Sequence, residues 1–103
     1  MSFKRWGYEF DGSFPDPDDL ESLPGVYVIK CRTDGGFYVL DVGQAEDVKD
    51  RCRNHERFDC WDDNCGSGIF YYSAHYMPDS SESDRIKVER DIRDQANPPC
   101  GER

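Results

Sequence analysis

The fold of this chain is decided by residues 41–55, which read Asp-Val-Gly-Gln-Ala-Glu-Asp-Val-Lys-Asp-Arg-Cys-Arg-Asn-His. A β-rich run ends at Gly43, and the apolar pattern changes there from the strand period to the helical period. Val48 and Cys52 are four residues apart, which places them on the same face of a helix. The stretch therefore predicts a strand that passes into a short helix ending near Arg57.

Upstream of this stretch the sequence predicts a β-hairpin. Residues 26–31 and 37–42 are rich in residues that favour strands. Residues 34–36, Asp-Gly-Gly, favour a tight turn between them, because glycine accepts the positive φ that hairpin turns require. Residues 1–24 are rich in Pro, Asp and Gly and are predicted to form a lead-in to a domain over residues 25–103.

Downstream the sequence predicts a strand and a second helix. Residues 59–68 are polar and contain glycine, which predicts a connection, and residues 69–76 predict a third strand. The helix is expected to begin after Ser81, since Asp84 gives a capping-box spacing, and to stop before Asn97. Its buried stripe recurs at four-residue intervals, at Val88, Ile92 and Ala96. This order of elements predicts one small α+β domain with a mainly antiparallel sheet.

The chain is short and acidic, with 103 residues and a formal net charge of -9 from 22 acidic and 13 basic side chains. This length supports one hydrophobic core. The acidic balance argues against a high-affinity nucleic-acid binder, which needs clustered Lys and Arg against phosphate. Residues 49–57 nevertheless hold four basic residues against two acidic ones. This strip is either a local phosphate-facing surface or a solvated helix face of mixed charge, which is the commoner case.

The cysteines predict a redox state and a location. The five are Cys31, Cys52, Cys60, Cys65 and Cys100. With an odd count, no apolar leader and no long apolar window, a cytoplasmic protein with reduced thiols and no membrane span is expected. A zinc site built on Cys60 and Cys65, with a third cysteine brought close by folding, is the alternative. Its spacing is loose, so zinc is not expected and buried thiols acting as small hydrophobes are.

Four residues could supply the parts that phosphodiester cleavage needs, which are an activated water, a cation facing the phosphate and a metal held by a carboxylate. They are Tyr27, Arg51, His55 and Glu89. Arg51 and His55 lie four residues apart and project from the same face of the first helix.

Each of these residues also has a purely structural interpretation. Tyr27 could pack within its strand, and His55 could be a polar residue favoured at a helix end. Arg51 and Glu89 could each pair with a charged residue one turn away on the same helix. The partners for such pairs are Asp47 for Arg51, and Arg85 or Arg93 for Glu89.

The joint pattern resembles the GIY-YIG nuclease superfamily, in particular its small single-domain members. The first motif is matched by Gly25-Val26-Tyr27 and the second by Asp41-Val42-Gly43. A helix with Arg51 and His55 follows, and a later helix carries Glu89. The resemblance covers nearly the whole chain and rests on the order and spacing of short motifs.

This resemblance implies a GIY-YIG domain, in which a three-stranded antiparallel sheet is flanked by helices. It also implies Mg²⁺-dependent (or Mn²⁺-dependent) hydrolysis of a phosphodiester bond in DNA. Tyr27 would position or deprotonate the attacking water, and Arg51 would stabilise charge on the phosphate. His55 would assist proton transfer or contact the phosphate, and Glu89 would hold the metal.

Two positions depart from the family pattern. Asp41 stands where the family has a second tyrosine, and its charge would either repel a phosphate or add a second metal ligand. Family members often carry an asparagine that follows a proline after the second helix. Here the chain reads Asn97-Pro98-Pro99, so Asn97 cannot be assigned that role. Gly25 and Gly43 match the motif glycines and are expected to be structural.

Two functional hypotheses follow. The first is a metal-dependent endonuclease, or a nuclease-like domain, that acts on DNA through the four residues named above. The second is a catalytically weakened or inactive family member that serves as a binding or interaction module. The acidic charge favours weak or partner-assisted DNA binding, with specificity supplied by a homodimer, a protein partner or the shape of the substrate.

Overall fold

The computed structural model describes residues 2–101, and this part of the chain forms five strands, three α-helices and one short 3-10 helix. In chain order the elements are β1 (Ser2–Arg5), β2 (Tyr8–Phe14), the 3-10 helix Pro17–Asp19, β3 (Gly25–Thr33), β4 (Gly36–Ala45), α1 (Val48–Arg53), α2 (Phe58–Cys65), β5 (Ile69–Tyr76) and α3 (Glu82–Ala96). The predicted α+β class is confirmed. No helix within these residues is long and apolar enough to cross a membrane.

The strands pair antiparallel in one sheet with the order β1-β2-β5-β3-β4. The three predicted strands are the neighbours β5, β3 and β4, but the predicted total of three was wrong. Residues 1–24, expected to be a lead-in, contain a hairpin, β1 and β2, that extends the sheet beyond β5. Its turn holds Trp6 and Gly7 at positive φ, 54° and 86°. Tryptophan rarely adopts this conformation, so no turn signal was visible there.

The first predicted helix is shorter than expected, and another helix follows it. α1 ends at Arg53 rather than near Arg57, and the Asp47 side chain caps its start by accepting a backbone N–H at 3.0 Å. α2 occupies most of the stretch that was predicted to be a connection, so that prediction was wrong. Its buried face consists of Trp61 and Cys65 alone, and the polar residues between them obscure the helical period.

The predicted third strand and second helix are confirmed as β5 and α3. At the start of α3, Ser81 Oγ accepts the Asp84 N–H at 3.1 Å and the Asp84 carboxylate accepts the Ser81 N–H at 3.2 Å. Asn97 follows the helix in the left-handed conformation, with a φ of 49°. These caps satisfy backbone groups at both helix ends, which is why the bounds were readable from the sequence.

Each face of the sheet carries its own core. Successive residues of a strand point to opposite faces. Val26 and Val28 of β3 pack with Ile92 of α3, and we call this side the α3 face. Tyr27 of β3 packs with Trp61 of α2 and with residues of α1, and we call this side the α2 face.

The segment after α3 crosses the free edge of β4 and joins the two faces. Cys100 N–H donates to Leu40 O at 3.0 Å, which covers part of that edge. Cys100 forms a disulfide with Cys60 of α2, and a second disulfide joins Cys31 of β3 to Cys65 of α2. The expectation of reduced thiols was therefore wrong for four of the five cysteines. The partners lie 34 and 40 residues apart, so only the fold brings them together.

Candidate functional site at the edge of β4

Asp41, which stands in place of the expected motif's second tyrosine, lies at the centre of a buried cluster of hydrogen-bond donors. It is fully buried. Its carboxylate accepts Arg57 Nε–H at 2.7 Å, Trp61 Nε1–H at 2.8 Å and Arg93 Nη2–H at 2.6 Å. A second Arg57 nitrogen, at 3.2 Å, and the Val42 N–H, at 2.8 Å, complete the set. Both carboxylate oxygens are thus occupied by charge-assisted hydrogen bonds.

Neither expected role of Asp41, repulsion of a phosphate or ligation of a metal, is favoured by this environment. Its charge is compensated by two guanidinium groups and it faces the interior. The pairing of β3 with β4 shifts at this point, since Ile29 faces Asp41 whereas Lys30 faces Val39. A bulge of this kind redirects side chains locally, and strand alternation read from the sequence does not reveal it.

Asp41 belongs to a chain of ion pairs that alternate in sign along the edge of β4. The order of its members is Arg51, Glu56, Arg57, Asp41, Arg93 and Glu89. At one end Arg51 Nη2 lies 2.8 Å from Glu56 Oε1, and at the other Arg93 Nε lies 3.1 Å from Glu89 Oε2. Three positive and three negative groups balance, so the site is close to neutral within an acidic chain.

An open pocket of about 470 Å³ lies on this chain, between the α1–α2 connection and α3. It is lined by Glu56, Arg57, Glu89 and Arg93, and we call it the β4-edge pocket. The Glu56 side chain is 68% exposed and that of Glu89 is 20% exposed. Glu56 is therefore the member that solvent or a ligand can most readily displace.

Tyr27 and His55 form a buried pair beside the pocket. Tyr27 Oη lies 2.5 Å from His55 Nε2, and His55 Nδ1 accepts the Arg57 N–H at 3.0 Å. Because Nδ1 accepts a hydrogen bond, it carries no proton in the neutral ring. The ring proton is therefore on Nε2, which donates to Tyr27 Oη. Burial raises the pKa of Tyr27 well above its usual value. Burial, then Arg57 and Arg51, lower the pKa of His55 to about 4, so both groups are neutral at pH 7.

Gly25 and Gly43 have steric roles at this site. Gly43 pairs with Tyr27 across the sheet, and a Cβ on Gly43 would overlap the Tyr27 phenol. A Cβ on Gly25 would overlap the His75 carbonyl on β5. Gly43 thus leaves the space in which the Tyr27 ring lies against β4.

The structure brings the sequence-predicted residues into one connected set of contacts. Tyr27 touches His55, and Arg51 reaches the pocket through Glu56. Arg51 does not pair with Asp47 as its structural interpretation suggested, since that carboxylate caps α1. Glu89 pairs with Arg93, one of its two expected partners.

Sequence reasoning missed the groups that organise the site. They are Glu56, Arg57, Trp61 and Arg93. Arg93 was considered only as a surface partner of Glu89, whereas its guanidinium is buried on Asp41. A signal existed, because a buried Asp in a strand needs cationic partners and Arg57 follows the first helix closely.

The two carboxylates that line the pocket, Glu56 and Glu89, are oxygen donors of the kind that Mg²⁺ prefers, and each is paired with an arginine. No group of three or more His, Cys, Asp or Glu within residues 2–101 is arranged to hold a metal. Cys60 and Cys65 are in separate disulfides, so a zinc site cannot use their thiolates in this state.

Comparisons of the chain with protein-family models, with curated proteins and with solved structures found no match. The site is therefore interpreted from its own geometry.

Proposed function

We propose that this chain is a nuclease-like domain that hydrolyses phosphodiester bonds in DNA with the help of a divalent metal. The observation that carries the proposal is the contact between Tyr27 and His55 beside Arg51, linked to a pocket that Glu89 lines. These are the four residues that the resemblance to GIY-YIG nucleases implies. Glu89 on α3 is connected to the other three through Arg93, Asp41 and Arg57, and this continuous chain of contacts supports a shared role.

Arg51 and Arg57 are suited to receive a phosphate. Glu56 now occupies Arg51 at 2.8 Å and lies 3.9 Å from Arg57. An exposed carboxylate paired in this way is held weakly. A phosphate that displaced Glu56 would meet the Arg51 guanidinium, which can bind it with two parallel hydrogen bonds, and Nη1 of Arg57, whose other two nitrogens bind Asp41.

Glu89 is the residue that would hold Mg²⁺ or Mn²⁺, and the ion when bound would neutralise charge on the phosphate and polarise a water. Tyr27 orients a water through its hydroxyl and does not act as the base, because its raised pKa keeps the phenol protonated. His55 fixes the orientation of that hydroxyl by donating to it.

A second candidate function, a weakened or inactive family member that binds without cleaving, is favoured by a specific observation. Asp41, in place of the second tyrosine, draws Arg93 into the interior, and Arg93 in turn holds one oxygen of Glu89. A guanidinium beside the metal-binding carboxylate opposes a cation. In this case the β4-edge pocket would bind phosphate through Arg51 and Arg57 only.

Nicking of supercoiled plasmid separates the two functions. The purified chain is incubated with Mg²⁺, with Mn²⁺ and with EDTA, beside Glu89→Gln and Arg51→Ala. Arg53→Ala is the matched control, since Arg53 lies on the same helix but pairs with Asp18. Hydrolysis predicts metal-dependent nicking that both site variants lose and the control keeps. DNA binding that depends on Arg51, without nicking in any metal, supports the second candidate. If the chain neither nicks nor binds DNA in this way, both candidates are contradicted.

Location and partners stay predictions. DNA binding that is weak or assisted by a homodimer or a protein partner follows from the net charge of -9. A cytoplasmic location was expected from the cysteines. The two disulfides bear against it, because disulfides persist in oxidising compartments and are rare in the reduced cytosol.

A further inference from the structure

The α3 face has a second half that α3 leaves open. Two rows of side chains cross it from β5 through β3 to β4, and directly paired residues share a face. The rows are Tyr71, Lys30 and Val39, and then Ile69, Arg32 and Phe37. Phe37 is 49% exposed and Ile69 is 57% exposed, so this part of the face meets solvent. We call these six residues, with Phe3 and Arg5 of β1, the basic–aromatic face.

The cations of this face lie against aromatic rings and not against carboxylates. Lys30 Nζ is 4.3 Å from the ring centre of Phe3 and 5.4 Å from that of Phe37. The Arg32 guanidinium is 5.7 Å from the Phe37 ring centre. Within residues 2–101, neither these two cations nor Arg5 makes an ion pair. Burial, and then Arg5, lower the pKa of Lys30 to about 8, which is the behaviour of a cation without a compensating acid.

This arrangement contrasts with the rest of the molecule. The chain carries a net charge of -9, and the arginines of the β4-edge pocket are all paired. Three uncompensated cations on one side of an acidic protein select a partner with negative charge. Exposed rings beside them select one that also offers flat apolar surfaces. The two requirements together describe unstacked nucleotides.

We propose that the basic–aromatic face binds single-stranded nucleic acid. Phosphates contact the exposed Arg5 and Arg32, and Lys30, which is 8% exposed, adds a third positive charge from within the face. Bases stack on Phe37 and Tyr71, whose ring centres are 5.2 Å apart. A duplex keeps its bases stacked inside and cannot use the rings. An acidic peptide would pair with the cations but leave the ring faces uncovered. The inference concerns a surface separate from the β4-edge pocket and does not depend on hydrolysis there.

Fluorescence anisotropy of a labelled oligothymidylate of about eight nucleotides tests the proposal, in EDTA and low salt so that no cleavage occurs. The probe is compared with the same sequence as a duplex. We expect the single strand to bind about tenfold more tightly than the duplex. With about three phosphate charges neutralised, a plot of the logarithm of the binding constant against the logarithm of the salt concentration should have a slope of about -2.

Matched variants locate the binding surface. Phe37→Ala and Arg32→Ala should each weaken binding by about fivefold or more. Phe58→Ala removes another exposed ring, on α2, and Arg90→Ala another exposed arginine, on α3; both should leave binding unchanged. Arg53→Ala, on α1 but paired with Asp18 outside the β4-edge pocket, should also leave it unchanged. Nicking by the parent chain is scored in a separate experiment, so failure of one site is distinguished from failure of the other.

Four outcomes overturn the proposal. The first is that the single strand does not bind, and the second is that duplex and single strand bind equally. The third is that poly-glutamate displaces the labelled strand as well as the unlabelled strand does. The fourth is that the control variants weaken binding and Phe37→Ala does not. Sedimentation of the chain alone adds a further test. If the chain dimerises and Phe37→Ala abolishes the dimer, the basic–aromatic face is a contact between copies and not a nucleic-acid surface.

Discussion

At position 41 a carboxylate lies where the motif expected from the sequence would have a tyrosine, and side chains from three parts of the chain converge on it. Arg57 comes from the α1–α2 connection, Trp61 from α2 and Arg93 from α3. Asp41 therefore joins the two faces of the sheet around the edge of β4. Removing one partner of a buried ion pair leaves the others uncompensated, which is far more costly than losing a surface pair.

Asp41→Asn should lower the free energy of unfolding by about 3–5 kcal/mol, because both guanidinium groups lose their counter-charge. Urea denaturation measures the change. Glu56→Gln, which alters the exposed member of the same chain, is the control and should shift the midpoint little. A small change in Asp41→Asn would show that the carboxylate does not hold the cluster together.

Asp41→Tyr should unfold the domain and not restore nuclease activity. The position is fully buried, and no space exists for a phenol among Arg57, Trp61 and Arg93. Circular dichroism and plasmid nicking on the same preparation measure the result. A folded variant that nicks faster than the parent would show that a tyrosine fits and that Asp41 had disabled the site.

The buried imidazole of His55 makes stability depend on pH. Its pKa is about 4 in the folded chain against an ordinary 6.5, so the unfolded chain binds more protons between these values. The contribution of neutral His55 to the free energy of unfolding is complete above pH 6.5 and is lost as the pH falls through 4. We expect about 2 kcal/mol, after allowing for solvent screening. Urea midpoints from pH 7 to pH 4 should fall less steeply in His55→Gln, and an equal slope would contradict the assignment.

At the scale of elements, the sequence predicted those whose signals are local. α3 was readable because Ser81 and Asp84 form a reciprocal cap, and β5 because its residues are almost all apolar or aromatic before Pro78. α2 was missed because two buried residues, Trp61 and Cys65, are too few to define a helical period. The β1–β2 hairpin was missed because its turn uses Trp6 against conformational preference.

Ser81→Ala should lower the free energy of unfolding by about 1 kcal/mol, because the first turn of α3 loses its side-chain cap. Ser83→Ala is the matched control, since Ser83 is exposed within the helix and should change stability little. Thermal or urea unfolding of both variants measures the difference. Equal effects of the two changes would mean that the capping box does not stabilise α3.

At the scale of the whole molecule, two disulfides and one ion-pair chain connect elements that are distant in the sequence. The sequence predicted the antiparallel arrangement of the three neighbouring strands β5, β3 and β4. It also singled out Tyr27, His55 and Glu89 as candidate site residues. It could not predict that Asp41 meets Arg93 or that Cys60 meets Cys100, because those contacts depend on how α2, α3 and the C-terminal segment pack around the edge of β4.

The disulfides predict a count of free thiols. Denatured but unreduced protein should titrate one thiol per chain, Cys52, and native protein almost none because Cys52 is buried. Five titratable thiols in carefully air-exposed protein would contradict the pairing. Replacing Cys60 and Cys100 together by serine should cost about 3–4 kcal/mol of unfolding free energy, since that bond closes a long loop.

The most direct test of the central claim, a phosphodiesterase site at the edge of β4, compares the nicking rates of the parent chain, Glu56→Gln and Glu89→Gln in Mg²⁺. Glu56→Gln removes the charge that pairs with Arg51 and leaves Nη1 of Arg57 open to the phosphate. It should nick at least as fast as the parent and reach half of its maximal rate at about threefold lower substrate concentration. Glu89→Gln should not nick at all. Equal nicking by Glu89→Gln, or loss of nicking in Glu56→Gln with the fold intact, would contradict the claim.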